Sequence, residues 1–207
     1  MNAQAIATLL QKHMGFEISS DLAGKLETYL GLLVRWNART NVSAIRDPES
    51  IVLRHFGESL QCAEALPDNL RALLDYGSGG GFPGVLCALT RPELAVTLAE
   101  SQNKKAAFLQ ELCRTLSLNA EVYAGRVEAL PAEVRFDAVT LRAVDCMEEA
   151  CVAASKRIRP GGWLVILATE DTLTELAAKL GGIAWEPVIP LRGSRRGRIA
   201  LGRVLAS

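Results

Sequence analysis

Apolar positions along the chain follow two different periods. From residue 1 to residue 66 they recur at helical spacing. After Ser19-Ser20, which suit a helix N-cap, Leu22, Leu26, Tyr29, Leu33 and Trp36 fall on one helical face. Trp36 lies on that stripe, so it reads as core rather than as a platform for a stacked base. Asn37 to Ser43 is rich in turn formers, with Asn37 and Asn41 expected as turn and cap residues. Asp47 then caps a further helix, with Pro48 at its first position and Glu49 in its first turn. That helix carries Ile51, Val52, Phe56 and Leu60 and ends before Pro67.

From about residue 70 short apolar runs alternate with amphipathic stretches, the pattern of a parallel α/β sheet. The predicted strands are Ala72–Tyr76, Ala95–Ala99, Glu121–Ala124, Phe136–Leu141 and Gly162–Ala168, with helices over 83–90, 103–117, 146–157 and 171–180. Arg159-Pro160-Gly161-Gly162 reads as a break before the fifth strand. Trp185–Leu191 and Ile199–Leu205 are strand-like and no helix fits between them, so they are expected to pair as an antiparallel hairpin. A mostly parallel sheet closing in such a hairpin resembles the seven-stranded, Rossmann-like class I methyltransferase fold. The expected division is an N-terminal helical extension, 1–66, and an α/β domain, 67–207, in one compact unit.

Composition adds limits. The chain has 207 residues, 49% hydrophobic and 22% charged, as in an ordinary globular protein. No apolar run approaches the ~18 residues of a membrane span and no secretory signal opens the chain, so a cytoplasmic protein off the membrane is expected. The cysteines (Cys62, Cys87, Cys113, Cys146 and Cys151) form no Cys-x-x-Cys pair, and His13 and His55 are the only histidines. Buried reduced thiols and no metal are therefore expected. Lysines and arginines number 23, as do aspartates and glutamates, so any nucleic-acid binding must come from local clusters. A monomer is expected.

Candidate chemistry centres on Asp75-Tyr76-Gly77-Ser78-Gly79-Gly80-Gly81-Phe82-Pro83-Gly84. Five glycines in eight residues let a backbone approach a ligand closely. The helix starting near Phe82-Pro83 should offer unpaired N–H groups to a carboxylate or phosphate. Glu100 closes the second strand, where an acid accepts hydrogen bonds from ribose hydroxyls. Gly79, Gly81 and Gly84 also satisfy G-x-G-x-x-G, so a nicotinamide-dinucleotide oxidoreductase competes, as does a non-catalytic nucleotide-sensing module. The acid-x-Gly-x-Gly form and the terminal hairpin favour S-adenosylmethionine, with Asp75, Gly77, Gly79, Gly81, Phe82 and Glu100 around it.

Trp36-Asn37, Asn41-Val42-Ser43, Arg46-Asp47-Pro48, Arg54-His55 and the glycine turn together make the chain resemble the glucose-inhibited division protein B family, the bacterial ribosomal RNA small-subunit methyltransferase G family. The resemblance implies methylation of guanine N7 in the decoding region of 16S rRNA, with S-adenosylmethionine as donor and 16S rRNA or the small ribosomal subunit as partner. It also implies donor contacts at Gly77, Phe82, Val127, Glu128 and Arg142. Leu141 replaces the family's usual serine before Arg142, and Gly80 stands where many relatives carry proline.

The segment after the fourth strand, Val139-Thr140-Leu141-Arg142-Ala143-Val144, has neither the Asn/Asp-Pro-Pro-aromatic device of exocyclic amine methylation nor a cysteine nucleophile after proline. Guanine N7 has an in-plane lone pair and no proton to lose, so positioning should supply most of the rate. Arg142 is the candidate positioning residue, contacting the donor carboxylate, a phosphate or guanine O6. His55 reads as a half-buried helical histidine which the family match brings toward the RNA. Arg192, Arg195, Arg196 and Arg198, with no acid near them in sequence, form a candidate phosphate clamp at a hairpin tip, with Lys104 and Lys105 as further RNA contacts.

Overall fold

A computed structural model describes residues 1–205. Helix α1 (Ala3–Met14) is capped by Asn2, whose Oδ1 accepts from the Ala5 N–H, and stops at Gly15 in the left-handed region. Helix α2 (Ser20–Asn37) is capped by Ser19, whose Oγ accepts from the Leu22 N–H. Leu26, Tyr29 and Leu33 are buried as the spacing predicts, whereas Leu22 and Trp36 are half-buried at its margins. Asp47 caps α3 (Pro48–Ser50), with Pro48 in the first turn. This helix widens into a π-helical stretch (Ile51–Gly57) and continues as α4 (Glu58–Ala65). Hydrophobic spacing does not register that widening, and such bulges concentrate at functional sites.

Strands β1 (Ala72–Tyr76), β2 (Ala95–Ala99), β3 (Ala120–Tyr123), β4 (Phe136–Arg142) and β5 (Ile158–Thr169) run parallel in the order β3-β2-β1-β4-β5. The helices among them are α5 (Gly84–Thr90), α6 (Asn103–Leu116), α7 (Met147–Ser155) and α8 (Glu170–Lys179). Most boundaries shift by one or two residues, β3 lying one residue earlier and β4 running on to Arg142, and the larger departure is β5, which starts at Ile158. Arg159-Pro160-Gly161-Gly162 does not end the strand. It bulges out between the pairings Phe136–Ile158 and Ala138–Trp163.

The C-terminal hairpin is also corrected in detail. Strand β8 (Gly197–Val204) lies antiparallel beside β5, and two short pieces, β6 (Ile183–Trp185) and β7 (Ile189–Pro190), share its other edge. The predicted Trp185–Leu191 strand is thus interrupted, and the sheet keeps seven positions because β6 and β7 occupy one between them.

Alternation along the strands divides the core. Leu73, Val96, Leu98 and Val165 join Ile6, Leu26, Tyr29, Leu33 and Phe56 of the N-terminal helices in one apolar cluster. Leu74, Val139, Leu141, Leu164 and Ile166 face the opposite cluster, under α7 and α8. The helical extension therefore shares its core with the sheet. Among the described residues no helix is long and apolar enough to cross a membrane.

Candidate active site: a cleft at the carboxyl ends of the parallel strands

Tyr76, Ala99 and Tyr123 stand side by side in register, with Leu141 on the other side of Tyr76. The loops leaving these strand ends surround a cleft of about 600 Å³, within the usual range for ligand pockets. One half is built from Tyr76–Gly80, Glu100–Gln102 and Gly125–Glu128. The other half comes from the helical extension, through Val42–Ile45, Arg54 and His55, closed by Phe82 and Arg142.

The glycine turn is held from below. The Asp75 carboxylate is buried, accepting from Thr140 Oγ at 2.7 Å and from the Gly84 N–H at 3.2 Å. Burial pushes its pKa up to about 6, although the hydrogen bonds from Thr140, Ser78 and Gly84 pull the other way. A Cβ on Gly84 would stand 2.5 Å from Leu98 and 2.7 Å from Asp75, so only glycine lets α5 start this close to the strands. Gly77, Gly79 and Gly81 all have positive φ. The expectation of Asp75 and Gly81 at the ligand is therefore redrawn: neither lines the cleft, and both shape the turn beneath it. Likewise, one N–H at the start of α5 is used by Asp75 rather than left for an anion.

Above the turn, Glu100 bridges two backbones. Its Oε2 accepts from the Gly79 N–H at 2.9 Å and its Oε1 from the Gln102 N–H at 2.7 Å. Each oxygen keeps lone-pair capacity toward the cleft it lines. Val127 is buried, and Glu128 accepts a 2.5 Å hydrogen bond from the Tyr76 hydroxyl, which holds its carboxyl below the usual range. Both line the cleft, as do Gly77, Gly79, Phe82 and Arg142.

The helical extension grips the same turn through aromatic rings. Phe82 is sandwiched between Tyr29 (centroids 5.3 Å apart, 9° between planes) and His55 (4.5 Å, 17°). The Tyr29 hydroxyl donates to the Gly80 carbonyl at 2.5 Å. His55 Nε2 lies 2.8 Å from Ser43 Oγ, and its Nδ1 is buried without a partner. Burial, then the charges of Arg142 and Arg54, lower its pKa to about 3. The imidazole is therefore neutral at physiological pH and packed into the wall of the cleft. His55, expected as an RNA contact, thus stands half-buried in the cleft lining. Asn37 does act as a turn residue, its Oδ1 accepting from the Val42 and Ser43 N–H groups. Trp36 packs edge-on to Phe108 and donates to Glu111.

Arg142 extends from the end of β4 into the cleft wall. Its Nη2 donates to Glu58 Oε2 at 2.7 Å and to the Arg54 carbonyl at 2.8 Å. Sequence reasoning missed Glu58, which is 6% exposed. Its signal was an acid set among the buried residues Phe56 to Cys62, where a charge needs a partner. Ser43, Tyr29 and Tyr76 were missed as site residues too, because nothing in their own neighbourhoods reveals partners many residues away.

Three of the four arginines of the expected clamp have acidic partners within the chain. The loop lies at the same end of the sheet as the cleft, since Gly197 pairs with Thr169 at the end of β5. Yet Arg192 lies over the Phe16 ring and pairs with Glu64, Arg196 pairs with Asp171, and Arg198 pairs with Glu170. Only Arg195 of the four has no acidic partner among the described residues. Lys105 lines the cleft, whereas Lys104 is exposed away from it. Cys62, Cys87, Cys113 and Cys151 are buried, but Cys146 is exposed, against expectation. Among the described residues no group of three or more His, Cys, Asp or Glu could hold a metal ion.

Known proteins bear on this geometry. The chain is 40% identical over 176 residues to the ribosomal RNA small subunit methyltransferase G of Xanthomonas axonopodis pv. citri (strain 306), covering 84% of this chain and 82% of that one. It is 39% identical over 190 residues to the protein of the same name from Stenotrophomonas maltophilia (strain K279a), covering 91% and 89%. Among solved structures, a SAM-dependent methyltransferase from Aquifex aeolicus superposes with a TM-score of 0.62 at 15% identity, covering 77% of this chain and 94% of that one. A predicted O-methyltransferase from Agrobacterium tumefaciens superposes with a TM-score of 0.59 at 22% identity, covering 72% and 81%. These two show the class I methyltransferase fold. With the family model for rRNA small subunit methyltransferase G matching residues 23–191, the chain belongs to that family.

Proposed function

We propose that this chain transfers the methyl group of S-adenosylmethionine to the N7 atom of a guanosine in the decoding region of 16S rRNA. The observation that carries this reading is the two-sided cleft: a glycine turn locked to Glu100 on one side, and an acceptor side walled by Phe82, His55 and Arg142 on the other. Gly77, Gly79, Glu100, Val127 and Glu128 would hold the donor, with Glu100 facing the ribose hydroxyls, and the donor supplies an electrophilic methyl on a sulfonium. The class I methyltransferase fold supports S-adenosylmethionine over the nicotinamide dinucleotide that the glycine spacing alone leaves open.

His55, with a pKa of about 3, is too weak a base to deprotonate an amine. None of the cysteines lines the cleft among the described residues, which leaves no nucleophile for a cytosine C5 reaction. Guanine N7 needs neither device. Alignment of its lone pair with the methyl group, in a wall formed by Phe82, His55 and Arg142, would supply most of the acceleration. RNA as the acceptor class rests on family membership and on the cations at or near the rim, Arg54, Lys105 and Arg126.

The test is transfer of labelled methyl to small subunits or naked rRNA from cells lacking this modification, with cell protein as a third acceptor. The modified nucleoside is then identified by mass. The reading expects 7-methylguanosine in 16S rRNA. Label in protein, or on an exocyclic nitrogen, refutes it.

A further inference from the structure

Resting on that functional reading, we propose that Glu58 is a positioning residue for methyl transfer, fixing Arg142 in the wall of the cleft and cancelling its charge there. The two side chains come from opposite parts of the chain, α4 and the end of β4. They meet at 2.7 Å with side-chain exposures of 8% and 13%. The Arg54 carbonyl, on the π-helical stretch, takes a second hydrogen bond from the same Nη2. Arg54 itself points out to solvent, its Nε 3.8 Å from Glu58 Oε1.

Two observations argue for a role beyond packing. A buried ion pair seldom stabilises a fold better than apolar residues of the same volume, because both ions lose hydration. Arg142 also spends only one of its three nitrogens on the protein. Nε and Nη1 have no acceptor among the described residues, and the side chain lines the cleft. A guanidinium fixed at one nitrogen presents the others in a set plane.

Its charge is a problem for this reaction. The base nitrogen's lone pair forms the N–CH3 bond while the S–CH3 bonding pair returns to sulfur. Net charge is conserved, and the positive charge passes from sulfur to the purine. A bare cation beside the base would oppose that shift. Glu58 offsets the charge of Arg142 where it offers hydrogen bonds to guanine O6, while the second cation on Glu58, Arg54, stays in solvent.

The experiment compares the parent with Glu58→Gln, Arg142→Gln, the double variant and Glu58→Asp. Melting temperature, donor binding by calorimetry and single-turnover transfer to undermethylated small subunits are measured. Glu58→Gln is expected to bind one donor per chain with Kd within about threefold of the parent, while transfer slows at least tenfold. Glu58→Asp recovers part of that rate. Each single variant should melt lower than additivity with the double variant allows, since each leaves an unpaired buried group. A transfer rate for Glu58→Gln within twofold of the parent overturns the proposal. So does a loss of rate matched by a loss of donor-binding sites, which marks a purely structural role. Should Glu58→Gln fail to fold, Glu58→Asp decides: slowed transfer at unchanged Kd supports positioning, and parental transfer refutes it. A parent that binds donor but methylates neither subunits nor rRNA defeats the functional reading instead.

Discussion

Replacing Asp75 with asparagine tests how the glycine turn is held. The carboxyl is 1% exposed, and burial raises its pKa from an ordinary 3.8 to about 6, against hydrogen bonds from Thr140, Ser78 and Gly84. A raised folded-state value means that the native protein binds this proton more tightly than the unfolded chain does. Its contribution is therefore fully present below pH 3.8 and is lost as pH rises through about 6. A shift of roughly two units corresponds to about 3 kcal/mol, since one unit is about 1.4 kcal/mol. Asparagine keeps an acceptor for the Gly84 N–H and has no charge to bury, so it removes the pH-dependent part and leaves a constant offset. Urea unfolding of both proteins at pH 4, 5, 6 and 7.5 gives the difference in stability at each pH. Relative to the variant, the parent should lose about 2.4 kcal/mol between pH 4 and pH 7.5, since the unfolded carboxyl is already partly ionised at pH 4. A difference flat to within about 0.5 kcal/mol, well below that shift, would refute the reasoning. It would mean that hydrogen bonds to the ionised carboxylate offset its desolvation in full.

Other predictions follow from single contacts. Glu100→Gln, which loses the charge that accepts from Gly79 and Gln102, should weaken donor binding about tenfold, or roughly 1.4 kcal/mol, by calorimetry. Gly81→Ala has φ +92 and would place a Cβ 2.6 Å from the Tyr29 hydroxyl, so a loss of about 2–4 kcal/mol is expected in denaturant unfolding. His55, neutral down to about pH 3, should show imidazole NMR shifts that stay constant from pH 5 to 8. It stabilises the fold above the unfolded value of 6.5 and loses that contribution as pH falls toward 3. Arg195→Ala should reduce the salt slope of rRNA binding by about one, while Arg192→Ala should lower the melting temperature through its lost contacts with Phe16, Glu64 and Met14.

By itself the sequence determined whatever depends on neighbours along the chain. The caps Ser19 and Asp47, the apolar stripe of α2 and the strands β1 and β2 are local, because periodicity and capping act within a few residues. The glycine turn and Glu100 were legible for the same reason, since a βα turn followed by an acid-ended strand is contiguous. The family motifs were equally plain.

Tertiary structure decided which of these residues reach the cleft. Asp75 and Gly81 look like ligand contacts in the sequence, yet packing of α5 and Tyr29 puts them beneath the turn. The arginines of the last loop look unpaired, but Glu64, Asp171 and Glu170 approach them only when the chain folds back. His55 and Glu58 acquire their roles from partners 27 and 84 residues away, Phe82 and Arg142. Burial and opposite charge act through space, so the properties of a charged or titratable side chain belong to the folded neighbourhood and not to its segment.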